Sequence, residues 1–558
     1  MKSSIKQLTL VLLCHLIIIP GKAQNTCEKL PFDMPKVNVP VFKPDTFNIK
    51  DYGAVNDGVT LNTQAFAKAI DACSKAGGGT VFVPSGLWLT GPIIMKSKIN
   101  LYVKKGALVL FSRNFDDYPL VQSNYEGLNT MRCQSPISGV GLEDIAITGG
   151  GVLDGSGDAW RSVKRSKMTQ SHWYSLVKSG GVVGKDGNTW YPSEKSMKGS
   201  EIQSSGYLSP NAKEADYLAI KDFLRPVMVN LNGCKNILLE GVTFRNSPSW
   251  CLHPLMCEHL TLQNVKVYNP WYAQNGDGID IESCRIGRID NCTFDAGDDA
   301  ICIKSGRNEE GRKRNMPTEL FVITNCIVYH GHGGFVIGSE MSGGARNLFV
   351  SNCTFIGTDV GLRFKTTRGR GGMVEKIYIS DISMINILTD AIGFDMYYGG
   401  TSPLPEADEK QPSVPEETET IQEVNNETPQ FEDFYIRNIS CNGAERAIFL
   451  QGLPEMYIKN INLENISIRA NSGITCIDGD QINCKNIKLE VTNGNIIVFS
   501  NSKNVILNQV QGTGNTSKFI SIGGKRTENI QLTQIGQKLT DADMEISSDV
   551  NPKAVVKK

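Results

Sequence analysis

The sequence predicts an all-β chain wound as a solenoid, and three observations carry that prediction. Short alternating apolar runs recur at intervals too short for separate domains, their apolar residues fall into columns, and one polar residue type recurs at the bend between them. From about residue 234 onward the segments CKNILLEGVTF, CEHLTLQNVKV, IGRIDNCTF, LFVITNCIV, NLFVSNCTF, KIYISDISM and DFYIRNISC follow one pattern. Aligned, they give the column Leu239, Leu262, Ile289, Ile323, Val350, Ile379 and Ile436. Three residues later comes the column Val242, Val265, Cys292, Cys326, Cys353, Ile382 and Ile439. Between them lie Gly241, Asn264, Asn291, Asn325, Asn352, Asp381 and Asn438. The step runs from 23 residues (Leu239 to Leu262) to 34 (Ile289 to Ile323), apart from one long insertion. Equivalent residues on successive coils of such a solenoid stack about 4.8 Å apart, the strand spacing of a sheet. CKNIKLEV, KNVILNQV and ENIQLTQI continue the coil towards the C-terminus.

The columns assign two residue types. Cys292, Cys326 and Cys353 interchange with Val and Ile, so they read as small buried apolar residues. Coil stacking brings them close enough that a disulfide stays open at this point. The Asn column reads as a ladder that satisfies backbone groups at a bend.

A second set of segments follows the first within each coil: NGDGIDIES, GDDAICIKS, GHGGFVIGS, VGLRFKT and AIGFDMYYG. Ile279, Ile301, Phe335, Leu362 and Ile392 form one inward column. Ile281, Ile303, Ile337, Phe364 and Phe394 form the next, so the residues between and just after them face outward. This registration makes Asp277 and Asp299 stacked neighbours, puts Asp298 level with His332, and sets Arg363 and Lys365 outward on the coil beyond. Carboxylates held one strand spacing apart raise one another's pKa, so assembling three is costly unless chemistry needs them. A solvated Asp-Gly bend or a calcium site is the plain alternative. Glycoside hydrolysis needs this set: one carboxylic acid protonates the leaving oxygen and another carboxylate activates water. Arg363 and Lys365 suit a substrate carboxylate, which points to an acidic sugar. His330 lacks the registration of His332 and reads as incidental.

The bulk properties agree with an exported carbohydrate-active protein. The chain has 558 residues, a formal charge of −1 and 21% charged residues, with no basic footprint for nucleic acid. Lys2 and Lys6 precede an apolar run from Leu8 to Ile19, and Gly21 and Ala23 fit a cleavage site before Gln24. The run is shorter than the roughly 20 residues a membrane-spanning helix requires. Residues 1–23 therefore read as a signal peptide and the mature chain as periplasmic or secreted, with no membrane span. Residues 24–545 read as one β-helix domain and 546–558 as a C-terminal tail. Two stretches break the rhythm. Residues 155–225, rich in Gly, Ser, Lys and Trp, read as an inserted lobe; Trp160, Trp173 and Trp190 there suit either sugar stacking or a small local core. Residues 399–430, rich in Pro and Glu, read as a surface loop.

With these residues in hand, the chain resembles family 28 of the glycoside hydrolases, the polygalacturonases. The family motifs read here Asn275-Gly276-Asp277, Gly297-Asp298-Asp299, Gly331-His332-Gly333 and Arg363-Phe364-Lys365, in order and on matching coils. DYGAVNDGVTLNTQAFAKAIDAC, GGGTVFVPSG and LTGPI resemble the same family and its pectin-active relatives, and the likeness covers most of residues 45–535. The resemblance implies a right-handed parallel β-helix of the pectin-lyase-like kind and an inverting hydrolase of α-galacturonosidic linkages in pectin. It implies Asp298 as general acid, Asp277 and Asp299 as activators of water, and His332 as a partner of the acid. It also implies Asn275, Arg363, Lys365 and Tyr398 (beside Tyr397) as substrate-binding residues. No cofactor or metal is implied, and the partner is a pectic polysaccharide or oligogalacturonide. Gly276 stands where many members have Thr. The glycine form of that motif and the paired tyrosines resemble bacterial exo-acting members. Hydrolysis of the alternating rhamnose–galacturonate backbone, a calcium-dependent lyase and a non-catalytic adhesin are the competing readings.

Overall fold

The computed structural model describes residues 30–202, 206–209, 211–399, 421–514, 518–535 and 540–557. The expected signal peptide and most of the expected 399–430 loop lie outside the described residues. Within them the chain is a parallel β-helix. One face is a 14-stranded sheet and the rest of the wall a 23-stranded sheet, both paired parallel throughout. Parallel strands joined by crossovers in one sheet wind right-handedly.

The predicted columns are the observed registers. Leu239 pairs with Leu262, and the same line runs through Ile289, Ile323, Val350, Ile379 and Ile436. On the 14-stranded face, β1 (Leu252–Leu255), β2 (Ile279–Glu282), β3 (Asp299–Lys304), β4 (Gly333–Ile337), β5 (Val360–Lys365) and β6 (Asp390–Asp395) stack in order. Both inward columns pair residue for residue, Ile279 through Ile392 and Ile281 through Phe394. Their side chains join one continuous apolar core reaching from Ile49 to Ala554.

The Asn column works as a ladder, and its conformation explains the residue type. Asn264, Asn291, Asn325, Asn352, Asp381 and Asn438 all have φ between 52° and 58°. That left-handed region is costly for side chains other than Gly, Asn and Asp. Each amide then binds along the stack: Asn291 donates to Asn264 (2.6 Å), Asn438 to Asp381 (2.9 Å) and Asn465 to Asn438 (3.1 Å). Cys292, Cys326 and Cys353 are buried free thiols, so the disulfide left open by the columns is not formed.

The coil begins earlier than its sequence signature. Gly79–Val83, Ile99–Val103 and Glu143–Gly149 already stack in the large sheet, with Lys98 and Asp144 at a second left-handed position, level with Asn236 and separate from the Asn column. The helix α1 (Thr63–Lys75) covers the open end of the first coil with Phe66, Ile70 and Cys73 buried. At the other end the expected tail is a strand: Val555–Lys557 pairs with Ile530–Leu532 and extends the sheet.

The 155–225 insertion folds into short helices and a three-stranded antiparallel sheet. Its tryptophans are buried: Trp160 packs edge-on against Phe115 and Tyr118, and Trp173 and Trp190 are at most 8% exposed. They form local core, not sugar platforms. A hairpin not foreseen from sequence, Leu120–Tyr125 with Leu128–Cys133, leaves the first coils and reaches β3's downstream loop. There Arg307 binds Glu126 (3.2 Å) and Asn129 donates its backbone N–H to Glu310 (2.9 Å).

The ladder makes a stability prediction. Asn352→Ala should destabilise by about 1–2 kcal/mol, because alanine at a left-handed bend carries that strain and the amide bond to Asn325 is lost. Asn352→Gly should cost less, since glycine relieves the strain. Urea unfolding midpoints of the two variants measure the difference; equal losses would mean that the hydrogen bond alone matters.

Candidate active site

The stacked registers put the aspartates and His332 at the N-terminal ends of β2–β4, with Arg363 and Lys365 reaching them from the C-terminal half of β5. Asp299 opens β3, opposite Gly333 of β4, so Asp298 lies level with His332. Gly278 donates its N–H to Asp299 O (2.9 Å) and His332 to Asp298 O (2.9 Å), which locks the level of each carboxylate. Gly276 and Gly297 sit tight under the 270–273 turn: a Cβ on either would lie 2.7 Å or less from Ala273 O. The glycine form of the first motif thus follows from close backbone approach here. Asp277, Asp298 and Asp299 each offer an oxygen within 4.8 Å of the others.

Their surroundings differ. Asp299 is 1% exposed, with Lys365 Nζ 2.7 Å from Oδ2 and Arg363 Nη1 3.4 Å from Oδ1. Burial alone would raise its pKa, but the positive charges of Lys365, Arg363 and Lys304 outweigh burial and hold it well below the usual carboxylate range. Asp277 is 2% exposed and its Oδ1 has no protein hydrogen-bond partner. Burial, then the charges of Asp280 and Asp298, push its pKa well above the usual range. Asp298 is more accessible. Its Oδ1 takes His332 Nδ1 at 3.0 Å and the Asp299 N–H at 3.0 Å, while its side chain stays 22% exposed. His332 also lies 3.7 Å from Asp359 through Nε2. Its pKa is raised, chiefly by the hydrogen bond to Asp298 and then, after the opposing effect of burial, by the Asp298 and Asp359 charges.

The substrate-binding candidates converge on the same place with one refinement. Arg363 and Lys365 point outward from the coil as alternation requires, yet Lys365 is only 5% exposed. Tyr398 lies under both cations, its ring 4.7 Å from Lys365 Nζ and 5.5 Å from the Arg363 guanidinium. Tyr397 turns into the core beneath Arg368, so the geometry selects Tyr398 between the adjacent pair. Asn275, at φ 52°, accepts a hydrogen bond from Arg225 (2.8 Å). His330 binds Asp295 away from the trio.

Several neighbours escaped the sequence reading. Asp280 and Lys304 occupy outward positions of β2 and β3, and alternation could have nominated both. Lys304 Nζ lies 2.9 Å from Glu340 and 3.6 Å from Asp280, with the Trp250 ring 4.7 Å away. Both Asp280 oxygens are buried without a hydrogen-bond partner among the described residues; burial pushes its pKa well up, and the Lys304 charge offsets only part of that. Glu340 is held down to about 2: Lys304 and Arg370 overcome its burial. Glu282 binds both His253 (2.9 Å) and Arg314 (2.7 Å) below. Arg225 and Asp359 come from loops, where no periodicity marks them. Together the groups offer an ionised carboxylate beside a buried protonatable one, a third linked to histidine, and cations at one edge. That is the equipment for acid–base cleavage of a glycosidic bond.

Comparison with known proteins gives the same answer. The model for glycosyl hydrolases family 28 matches residues 197–436, which include every candidate site residue from Asn275 to Tyr398. A second model, for rhamnogalacturonase A/epimerase, pectate lyase-like proteins, matches residues 46–105. The chain is 31% identical over 369 residues to an exo-poly-alpha-D-galacturonosidase of Dickeya chrysanthemi, covering 64% of this chain and 58% of that protein. It is 30% identical over 347 residues to a probable polygalacturonase of Vitis vinifera, covering 60% of each. The chain thus spans about three fifths of the length of these relatives. A hyperthermoactive exopolygalacturonase from Thermotoga maritima superposes with a TM-score of 0.60 at 28% identity, over 90% of this chain and 94% of that one. The family 28 exopolygalacturonase of Yersinia enterocolitica shares the fold at 22% identity, with a TM-score of 0.58 over 85% of this chain and 78% of that one. The four motifs and their registers all lie within the segment that matches the model for glycosyl hydrolases family 28, the family to which the chain is similar.

Proposed function

We propose that the protein is an inverting, exo-acting hydrolase of α-galacturonosidic linkages in pectin, exported from the cell through its N-terminal leader. The observation that carries this reading is the division of labour among three adjacent aspartates. Asp298, hydrogen-bonded to His332 and open to the groove, donates its proton to the glycosidic oxygen as the C–O bond breaks. Asp299, kept ionised by Lys365 and Arg363, takes the proton of the attacking water, and Asp277 anchors that water. A water spanning two acceptors at ordinary hydrogen-bond length bridges oxygens about 4.4 Å apart, which fits the trio. Its compactness is closer to the roughly 5–5.5 Å of retaining enzymes than to the roughly 6.5–9.5 Å of most inverting ones. Inversion is nevertheless supported by occupancy: both Asp299 oxygens are engaged by cations and Asp277 tends to hold its proton, so neither is a free nucleophile. Arg363, Lys365, Tyr398 and Asn275 line the substrate.

The exo mode is supported by the walls of the groove. The 155–225 insertion meets the site's edge through Arg161, bound to Asn246, through Lys167, 5.0 Å over Trp271, and through Arg225 at Asn275. The 120–133 hairpin spans the face beside it. A bare β-helix groove lacks such ends.

Three outcomes are expected. Asp298→Asn should fold normally and lose roughly 10²–10⁴-fold in kcat, the usual contribution of a general acid; near-normal turnover would reassign the acid. Asp359→Asn removes a negative charge that favours protonated His332. His332 should then lose its proton at lower pH, moving the alkaline limb of the kcat/KM profile downward; an unmoved limb would exclude His332 from that ionisation. Incubated with polygalacturonate and, in parallel, rhamnogalacturonan, the enzyme should degrade the first, releasing monomer from the start while viscosity falls slowly. Proton NMR of the earliest product should give the inverted anomer. An early oligomer ladder would overturn the exo mode, and degradation of rhamnogalacturonan alone would overturn the substrate.

A further inference from the structure

Among the described residues, Arg225 is a cation at the site edge without an acid to neutralise it. Its Nη1 donates to Gln274 O (2.8 Å) and Pro248 O (3.1 Å), and its Nη2 to Asn275 Oδ1 (2.8 Å), all neutral oxygens. Those bonds aim the guanidinium without discharging it, and they leave Nε and one Nη2 hydrogen unassigned. A guanidinium carries five donors in a fixed fork matched to a carboxylate. The residue is half-buried, at the end of the insertion, and its partner Asn275 stands two residues before Asp277.

A second arginine faces it. Arg161 is 5% exposed and held by Asn246 and the Ser247 carbonyl, with its Nε buried and unpaired. Its pKa is brought down to about 10, first by burial and then by the Arg225 charge, so the two positive groups sense each other directly. On the turn just before Asn275, Trp271 and Tyr272 stand 60% and 59% exposed, edge to face at 5.7 Å. Exposed aromatics on the turn that Arg225 grips through Gln274 O, with Lys167 5.0 Å over the Trp271 ring, are the makings of a site for an acidic sugar.

The placement is distinct from the cations already described. Arg363 and Lys365 approach Asp299 from β5, two coils beyond β3. Arg225 approaches from the opposite direction along the axis, before β2. We propose that Arg225, braced by Asn275 and rimmed by Trp271 and Tyr272, binds the carboxylate of a second galacturonate, across the cleaved bond from Arg363 and Lys365. The enzyme then reads a uronate on both sides of the bond. This rests on the galacturonan hydrolase reading.

The test uses the full chain and trigalacturonate carrying one methyl ester, placed on each residue in turn. Wild type should lose roughly 10–100-fold in kcat/KM when either residue flanking the cleaved bond is esterified, as expected when a charge-assisted pair is broken. In Arg225→Gln the penalty should vanish at one flanking residue and persist at the other, with the loss on unmodified substrate falling mainly on KM. Both penalties persisting unchanged would overturn the proposal. Arg225→Lys keeps the charge without the fork and should give an intermediate penalty at that residue, which decides the matter if the glutamine variant does not fold; an unchanged penalty there would again overturn it. Wild type that cleaves no galacturonide would overturn the hydrolase reading itself, and that is measured first.

Discussion

Parallel register at a fixed strand spacing is the constraint from which the rest follows. Once Ile279, Ile301, Phe335, Leu362 and Ile392 stack inward, the residues flanking them are fixed on the opposite face at the same spacing. Asp277, Asp298, Asp299 and His332, spread over 56 residues of sequence (277 to 332), become neighbours with no loop rearrangement. The Asn ladder serves the same end: it sets the bend angle of each coil, and so the height at which the next strand starts.

Holding three carboxylates that close is unfavourable, and the molecule offsets it with positive charge. Lys365 and Arg363 neutralise Asp299 from one side, and Lys304 faces Asp280 and Glu340 beneath. This produces the asymmetry that chemistry needs, since equal environments would leave the carboxylates with similar proton affinities. The positive charges of Lys365, Arg363 and Lys304 around Asp299 separate an ionised group from Asp277, which tends to keep its proton.

The fold was legible in sequence wherever one residue type repeats at one structural position, as at Asn264 to Asn438. It was illegible at a second left-handed position five residues upstream in the coil, made by Lys98, Asp144, His259 or Leu320, because no single residue type marks that line. The candidate site was legible where it lies on strands or directly before them, since alternation fixes direction: Asp277, Asp299, Arg363 and Lys365 were placed this way. Alternation gives direction but not cover, so the burial of Lys365 was not foreseen. Arg225, Asp359 and the 120–133 hairpin depend on contacts between distant loops, such as Arg307 with Glu126 at a separation of 181 residues. No local pattern encodes such a meeting. The tryptophans of the insertion were ambiguous for a related reason: a ring suits a sugar and a core equally well until its neighbours are known.

That hairpin has a consequence for how the molecule comes apart. A solenoid whose coils touch only adjacent coils can fray from either end, one unit at a time. The strut from Leu120–Cys133 to Arg307 and Glu310 ties the early coils to the downstream side of the aspartates, past the coils between them. Those intervening coils cannot open in sequence without also releasing the strut, so they melt together. The reactive face therefore sits inside one cooperative block, while the C-terminal coils beyond it remain free to breathe.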